Sequence, residues 1–170
     1  METQEQLVIP PKAPVRGSLS DRYDHRLDPK RRFSIPLRWY ELMGSPEHVV
    51  ARISLTGKPF ISICSAEVHE RRLRPYRHRD AMDETQETFL RMLSESSERL
   101  KVDCQNRIRL SDEMLEYAGL GAGADDNVVL VGAVEDFEVW SLANRPKKAA
   151  NDLSRIKELA ELAKVVKFKL

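Results

Sequence analysis

The feature that most constrains the fold of this chain is that part of it occurs twice. At an offset of 75 residues Asp28 matches Asp103, Arg32 matches Arg107, Glu41 matches Glu116 and Gly44 matches Gly119. Phe33, Ile35 and Tyr40 fall on Ile108, Leu110 and Leu115 in the same alignment. Four identities over seventeen positions would be weak alone. They gain weight because one order of turn, strand, helix and hairpin runs through both copies. A repeat of this period is one supersecondary unit that needs its twin to bury a core.

Leu19, Tyr23, His25 and Leu27 alternate along a strand with a break near Asp21. Asp28-Pro29-Lys30-Arg31-Arg32 has turn chemistry, because Asp bonds nearby backbone and Pro presets φ. Phe33-Ser34-Ile35 resumes the strand, and Pro36 opens a short helix over 37–43 ended by Gly44. Residues 49–55 and 60–64 read as a hairpin, and 66–74 as a helix up to Pro75. Met82, Phe89, Leu93 and Leu100 recur at helical spacing and predict a longer helix from about Met82 to Leu100. The second copy follows: the turn Asp103-Cys104-Gln105-Asn106-Arg107, the strand Ile108–Leu110, a helix with Ser111 as N-cap and Gly119 at its end, and a hairpin over 128–133 and 137–140.

Charge is distributed unevenly although the net formal charge is only +1. Residues 16–38 hold seven Lys/Arg against three acids, and residues 69–79 five arginines against Glu70. Residues 103–138 reverse the sign with nine acids against Arg107 and Arg109, and residues 145–170 are basic again. A polyanion would meet the first half, and the tail with it, rather than the second half. The plainer account of any one charge run is a solvated face.

An acid and an arginine four residues apart in a strand–turn–strand unit have a mechanism. The carboxylate accepts backbone N–H bonds and an arginine bond, which fixes the loop and leaves Lys30, Arg31 and Arg32 displayed on the turn. The arginine fork matches O6 and N7 of guanine, lysine suits phosphate, and a β-ribbon fits the major groove. On spacing alone a structural salt bridge explains the pattern at least as well. The copies also differ, Asp-Pro-Lys-Arg-Arg against the nearly neutral Asp-Cys-Gln-Asn-Arg, so the first copy is expected to touch DNA and the second mainly to build the core and the oligomer.

These residues resemble the MraZ family, whose modules belong to the SpoVT/AbrB-like swapped-hairpin class. The first signature stands as Tyr23-x-His25-x-Leu27-Asp28-x-Lys30-x-Arg32-Phe33-Ser34-Ile35-Pro36. The second is Asp103-x-Gln105-x-Arg107-Ile108, followed by Tyr117-Ala118-Gly119-Leu120, Val129-Leu130-Val131-Gly132 and Phe137-Glu138-Val139-Trp140. The likeness covers roughly residues 16–142.

The resemblance implies an α+β fold of two tandem SpoVT/AbrB-like swapped-hairpin β-barrel modules with pseudo-twofold symmetry, plus helices. The expected division is a flexible extension over 1–16, modules over 17–79 and 101–144, a connecting helix over 80–100 and a basic helical extension over 145–170. It further implies a regulator of the division and cell-wall gene cluster, a homo-oligomeric ring that binds double-stranded DNA at repeated G-rich promoter boxes, cytoplasmic and associated with the nucleoid. Carried over residue by residue, the DNA-binding set is Asp28, Lys30, Arg31, Arg32 and Arg107, with Asp28 and Asp103 structuring the turns. The family usually has Gly before each motif arginine, where this chain has Arg31 and Asn106. If the site needs a positive φ, Asn tolerates it, whereas Arg strains it and is expected to alter the shape of the first turn.

Other chemistry is sparse. His25, His48, His69 and His78 lack partners at metal-ligand spacing, so no metal or cofactor is expected, and His25 reads as a packed, hydrogen-bonded residue. Two cysteines are too few for a disulfide framework: Cys64 reads as buried and Cys104 as part of the second turn. No phosphate loop, nucleophile elbow or paired-acid pattern is present, so catalysis is not expected; no apolar run is long enough for a membrane span. Arg71–Arg79 either adds phosphate contacts or pairs across subunits with acids of 103–138, the second being favoured. The tail carries Leu153, Ile156, Leu159, Ala160, Ala163 and Val166 on one helical stripe. The rival to a DNA-binding regulator is an oligomeric protein-interaction scaffold whose Asp-x-x-x-Arg turns only hold the fold; steep salt dependence of DNA binding separates the two.

Overall fold

A computed structural model describes residues 17–76, 84–121, 126–145 and 161. The first repeat contains β1 (Arg22–Arg26), β2 (Arg32–Ser34), α1 (Leu37–Leu42), β3 (His48–Ile53) and β4 (Phe60–Ser65). Helices α2 (Ala66–Leu73) and α3 (Glu84–Glu95) follow, and the second repeat contains β5 (Ser97–Lys101), β6 (Arg107–Arg109), α4 (Asp112–Ala118), β7 (Asn127–Gly132) and β8 (Asp136–Ser141). The offset of 75 carries β1 onto β5 and β2 onto β6 residue for residue. It also sets α1 over α4, and drifts only in the loops around β7.

The strands make an antiparallel six-stranded sheet in the order β1-β7-β8-β4-β3-β5, and β2 pairs with β6 in a separate two-stranded ribbon. Exchanging each strand for its counterpart and reading the sheet from the other end returns the same order. The first strand of each repeat pairs with the hairpin of the other: β1 with β7, and β5 with β3. Barrel closure was expected, and the structure corrects it. Among the described residues β1 and β5 are the free edges of an open sheet. The ribbon and two helices cover its inner face instead.

That covering forms the core. Val49, Ala51, Ile61, Ile63, Val128, Leu130, Phe137 and Val139 from the sheet meet Phe33, Ile35, Ile108 and Leu110 from the ribbon strands and their continuations. Trp39 of α1 and Met114, Leu115 and Ala118 of α4 complete it. Trp39 is fully buried, packs edge-on against Tyr23 at 4.9 Å and donates its indole N–H to Ser20 O at 2.9 Å. Truncating a residue so placed costs roughly 3–5 kcal/mol, and this one ties the start of β1 to α1.

Several boundaries follow from local chemistry. Asp21 at φ 82° makes the break before β1, and Leu19 bridges Val134 on the far side of it. Ser111 Oγ accepts from Met114 N at 3.4 Å, and Gly119 closes α4 at φ 70°. The connecting helix is shorter than its periodicity predicts, because Ser97–Leu100 belongs to a strand. Both Ser96 Oγ and Ser97 Oγ donate to Leu93 O, at 3.0 and 2.7 Å, and so take over a carbonyl at the helix end. Of the predicted stripe, Leu93 is buried from the helix, Leu100 from the sheet, Phe89 is exposed, and Met82 lies outside the described residues. The extension over 1–16 and the tail stripe from Leu153 to Val166 also lie outside them. No described helix is long and apolar enough to cross a membrane.

Candidate nucleic-acid interface

Each Asp-x-x-x-Arg segment links an edge strand of the sheet to a strand of the ribbon. In the first, Asp28 N donates to Arg32 O at 2.9 Å and Arg31 N to Asp28 O at 2.8 Å. Asp28 Oδ1 accepts Lys30 N at 2.9 Å and Arg32 N at 2.8 Å, while Oδ2 accepts Arg32 Nε at 2.8 Å. The second repeats the pattern. Asp103 Oδ1 accepts Gln105 N and Arg107 N at 2.9 Å each, and Oδ2 accepts Arg107 Nε at 2.8 Å. The carboxylate thus does the work that Asx turns do elsewhere, with a guanidinium added.

The residue before each arginine is left-handed: Arg31 has φ 58° and Asn106 φ 57°. Arg31 was expected to change the first turn, and this is corrected by the near-identity of the two angles and of the two hydrogen-bond sets. The three bonds to Asp28 and the ribbon pairing on one side of Arg31 over-determine its backbone, so the strain is accepted rather than relieved.

The two turns are neighbours. Arg32 Nη1 lies 3.6 Å from Asp103 Oδ2, and Arg107 Nη1 lies 3.8 Å from Asp28 Oδ2, reciprocal ion pairs between the repeats. Both arginine side chains are about a quarter exposed. Backbone N–H bonds, first of all from Arg32, hold the Asp28 carboxyl below its usual range, and those from Arg107 first do the same for Asp103. Burial opposes both shifts without reversing them.

Pairing of the ribbon sets Arg32 opposite Arg109 and Ser34 opposite Arg107, with Phe33 opposite Ile108. Phe33 and Ile108 point into the core, so alternation places Arg32, Ser34, Arg107 and Arg109 on the other face. Lys30 is exposed on the adjoining turn. Arg31 Nη1 reaches Asp112 Oδ1 at 3.1 Å, and Arg109 Nη2 reaches the same oxygen at 3.0 Å. The structure therefore brings Asp28, Lys30, Arg31, Arg32, Asp103 and Arg107 together on one ribbon and its two turns. Arg109 and Asp112 are the members that the sequence reading passed over. Alternation from Arg107 was the available signal for Arg109. Asp112 had none, since its partner Arg31 lies 81 residues away.

Residues set aside from this site also find places. Arg71 and Arg72 pair with Glu135, and Arg72 with Asp136 at 2.8 Å. Both acids belong to the region predicted as their partner, and these pairings lie within one chain. Arg77, His78 and Arg79 lie outside the described residues. His25 stacks beside Tyr23, and burial lowers its pKa, but its Nε2 has no hydrogen-bond partner, contrary to expectation. Cys64 is buried and its thiol is pushed up to about 11 by burial; Cys104 is exposed in the second turn. Among the described residues no group of His, Cys, Asp or Glu is arranged to hold a metal.

No family model matches the chain. It is similar to proteins named transcriptional regulator MraZ from several bacteria. One from Desulfitobacterium hafniense is 32% identical over 124 residues, 71% of this chain and 79% of the relative. One from Syntrophomonas wolfei is 29% identical over 142 residues, 82% of this chain and 92% of the relative. One from Parvibaculum lavamentivorans is 27% identical over 150 residues, 87% and 91% of the two chains.

Proposed function

Because the chain belongs to the MraZ family of transcriptional regulators, we propose that it acts by sequence-specific binding of double-stranded DNA through the β2–β6 ribbon and its two turns. The observation that carries this reading is the ribbon's face, where five cationic side chains, Lys30, Arg31, Arg32, Arg107 and Arg109, stand among three carboxylates, Asp28, Asp103 and Asp112. A two-stranded ribbon fits the major groove, about 12 Å wide. Asp28 fixes the angle of the Arg32 guanidinium through Nε and leaves Nη1 with only the longer contact to Asp103. A preset fork of this kind spends little entropy on a guanine edge.

Lys30 and Arg31 belong to the first turn alone, so the first repeat supplies most of the DNA contact and the second mainly the core. The targets are repeated, G-rich promoter boxes of the division and cell-wall gene cluster. Each repeat is a swapped-hairpin module of the SpoVT/AbrB class, and copies of the chain join in a ring. The ring makes several modest turn–DNA contacts effectively intramolecular. The work is done in the cytoplasm, on the nucleoid.

The test is binding of the wild type and Arg32→Ala to DNA upstream of the protein's own gene, against scrambled DNA at physiological salt. Tight binding to the genuine sequence, lost with Arg32→Ala while the oligomer survives, supports the reading. Equal weak binding to both DNAs, indifferent to the substitution, replaces it with the scaffold, in which the Asp–Arg pairs only brace the ribbon.

A further inference from the structure

Three side chains on the ribbon face break the symmetry of the two repeats. Arg31, Arg109 and Asp112 meet at one carboxylate oxygen, at 3.1 and 3.0 Å. Their counterparts at the 75-residue offset are Asn106, Ser34 and Leu37, none of which can make such a contact. The pairs that brace the turns, Asp28 with Arg32 and Asp103 with Arg107, occur in both halves. The braces occur twice, and this contact occurs once.

It is also costly and loosely held. Arg31 keeps its side chain at φ 58°, a left-handed conformation that strains an arginine. The return is an exposed ion pair, with side-chain exposures of 37% for Arg31, 50% for Arg109 and 71% for Asp112. Ion pairs this exposed are screened by solvent and contribute little to stability, so the fold gains almost nothing from the arrangement. Two guanidinium groups on one oxygen of a single carboxylate leave an unneutralised positive charge, next to Lys30 and Arg32.

We propose that Arg31 and Arg109 form a clamp for one DNA phosphate, and that Asp112 occupies the phosphate's place in the free protein. The inference rests on the ribbon being the DNA-contacting face. A phosphate approaching the ribbon displaces the Asp112 carboxylate and takes both guanidinium groups, one from each repeat. Asp112 thereby keeps the clamp formed but occupied, and lowers affinity for every duplex alike, because a phosphate carries no sequence information. Arg109, rather than Arg107, becomes the second repeat's main contact with the DNA backbone.

Arg109→Gln, Arg31→Gly and Asp112→Asn separate this from a structural role when their binding to upstream and scrambled duplexes is titrated over a range of salt. Both arginine variants are expected to weaken the two duplexes by one common factor of about three to ten, and to make the log K against log salt slope shallower by about one. Asp112→Asn is expected to tighten both duplexes about two- to fivefold, with the melting temperature little changed. The clamp is overturned if Asp112→Asn weakens binding together with Arg109→Gln, as loss of a structural brace would do. It is equally overturned if neither arginine variant moves the slope while Arg32→Ala still abolishes the preference for upstream DNA. That preference reports the underlying reading separately: a wild type without it, insensitive to Arg32→Ala, removes the DNA-contacting face itself.

Discussion

The turns at Asp28–Arg32 and Asp103–Arg107 share a skeleton and differ in what they carry. Five hydrogen bonds in one have counterparts in the other within 0.1 Å, and the left-handed residue differs by one degree. The side chains mounted on that skeleton are Pro, Lys and Arg in the first and Cys, Gln and Asn in the second. Shape is thus carried by the aspartate and the arginine alone, and the three positions between them are free to specialise. That freedom allows one repeat to keep the fold while the other acquires a partner.

The sharpest way to break this comparison is to remove the two arginines in turn. Arg32→Ala is expected to lower affinity for upstream DNA about a hundredfold, and Arg107→Ala only a few-fold, as read by fluorescence anisotropy. Equal losses would end the division of labour. Next in size is the skeleton itself. Asp28→Ala and Asp103→Ala should each lower the melting temperature by several degrees and by the same amount, since each removes the acceptor of two backbone N–H groups and one guanidinium. A clear inequality in calorimetry would mean that the shared geometry hides different energetics.

A graft sharpens the comparison from the other side. Gln105→Lys with Asn106→Arg dresses the second turn as the first, and should raise affinity for any duplex about fivefold with a steeper salt slope. The smallest effect is on pH. Both carboxyls are held below their ordinary value of 3.8, so the stability they lend is complete above that pH and is lost as pH falls through the lower folded values. Acid unfolding should therefore steepen below about pH 4, and Asp28→Asn and Asp103→Asn should blunt that limb to the same degree.

The repeat was legible because identical turns need identical residues: Asp28 and Asp103, Arg32 and Arg107, Gly44 and Gly119 are local requirements that survive in a string. What was not legible is pairing between distant segments. Nothing near Arg22 says that its partner is Val131, and the open sheet in place of a barrel follows from such pairings. The strand at Ser97–Lys101 was hidden because Leu93 and Leu100 also fit one helical stripe, and only partnership with β3 decides between the two. Arg71 and Arg72 were matched to the right acidic region, but a charge pattern cannot say whether the acids belong to the same chain. Asp112 looked like an ordinary first-turn acid because its second role depends on Arg31 arriving from the other repeat.

The crossed pairing of the sheet also sets a clock. β1 hydrogen-bonds to β7, in pairs that run from Arg22 with Val131 to Arg26 with Asn127, so roughly a hundred residues separate the partners. At synthesis rates of about 5–20 residues per second, the first strand waits some 5–20 s on the ribosome before its partner exists. During that wait its edge is unprotected, and no truncated product that stops short of β7 can complete the sheet. The six-stranded sheet is completed only after the second repeat has emerged.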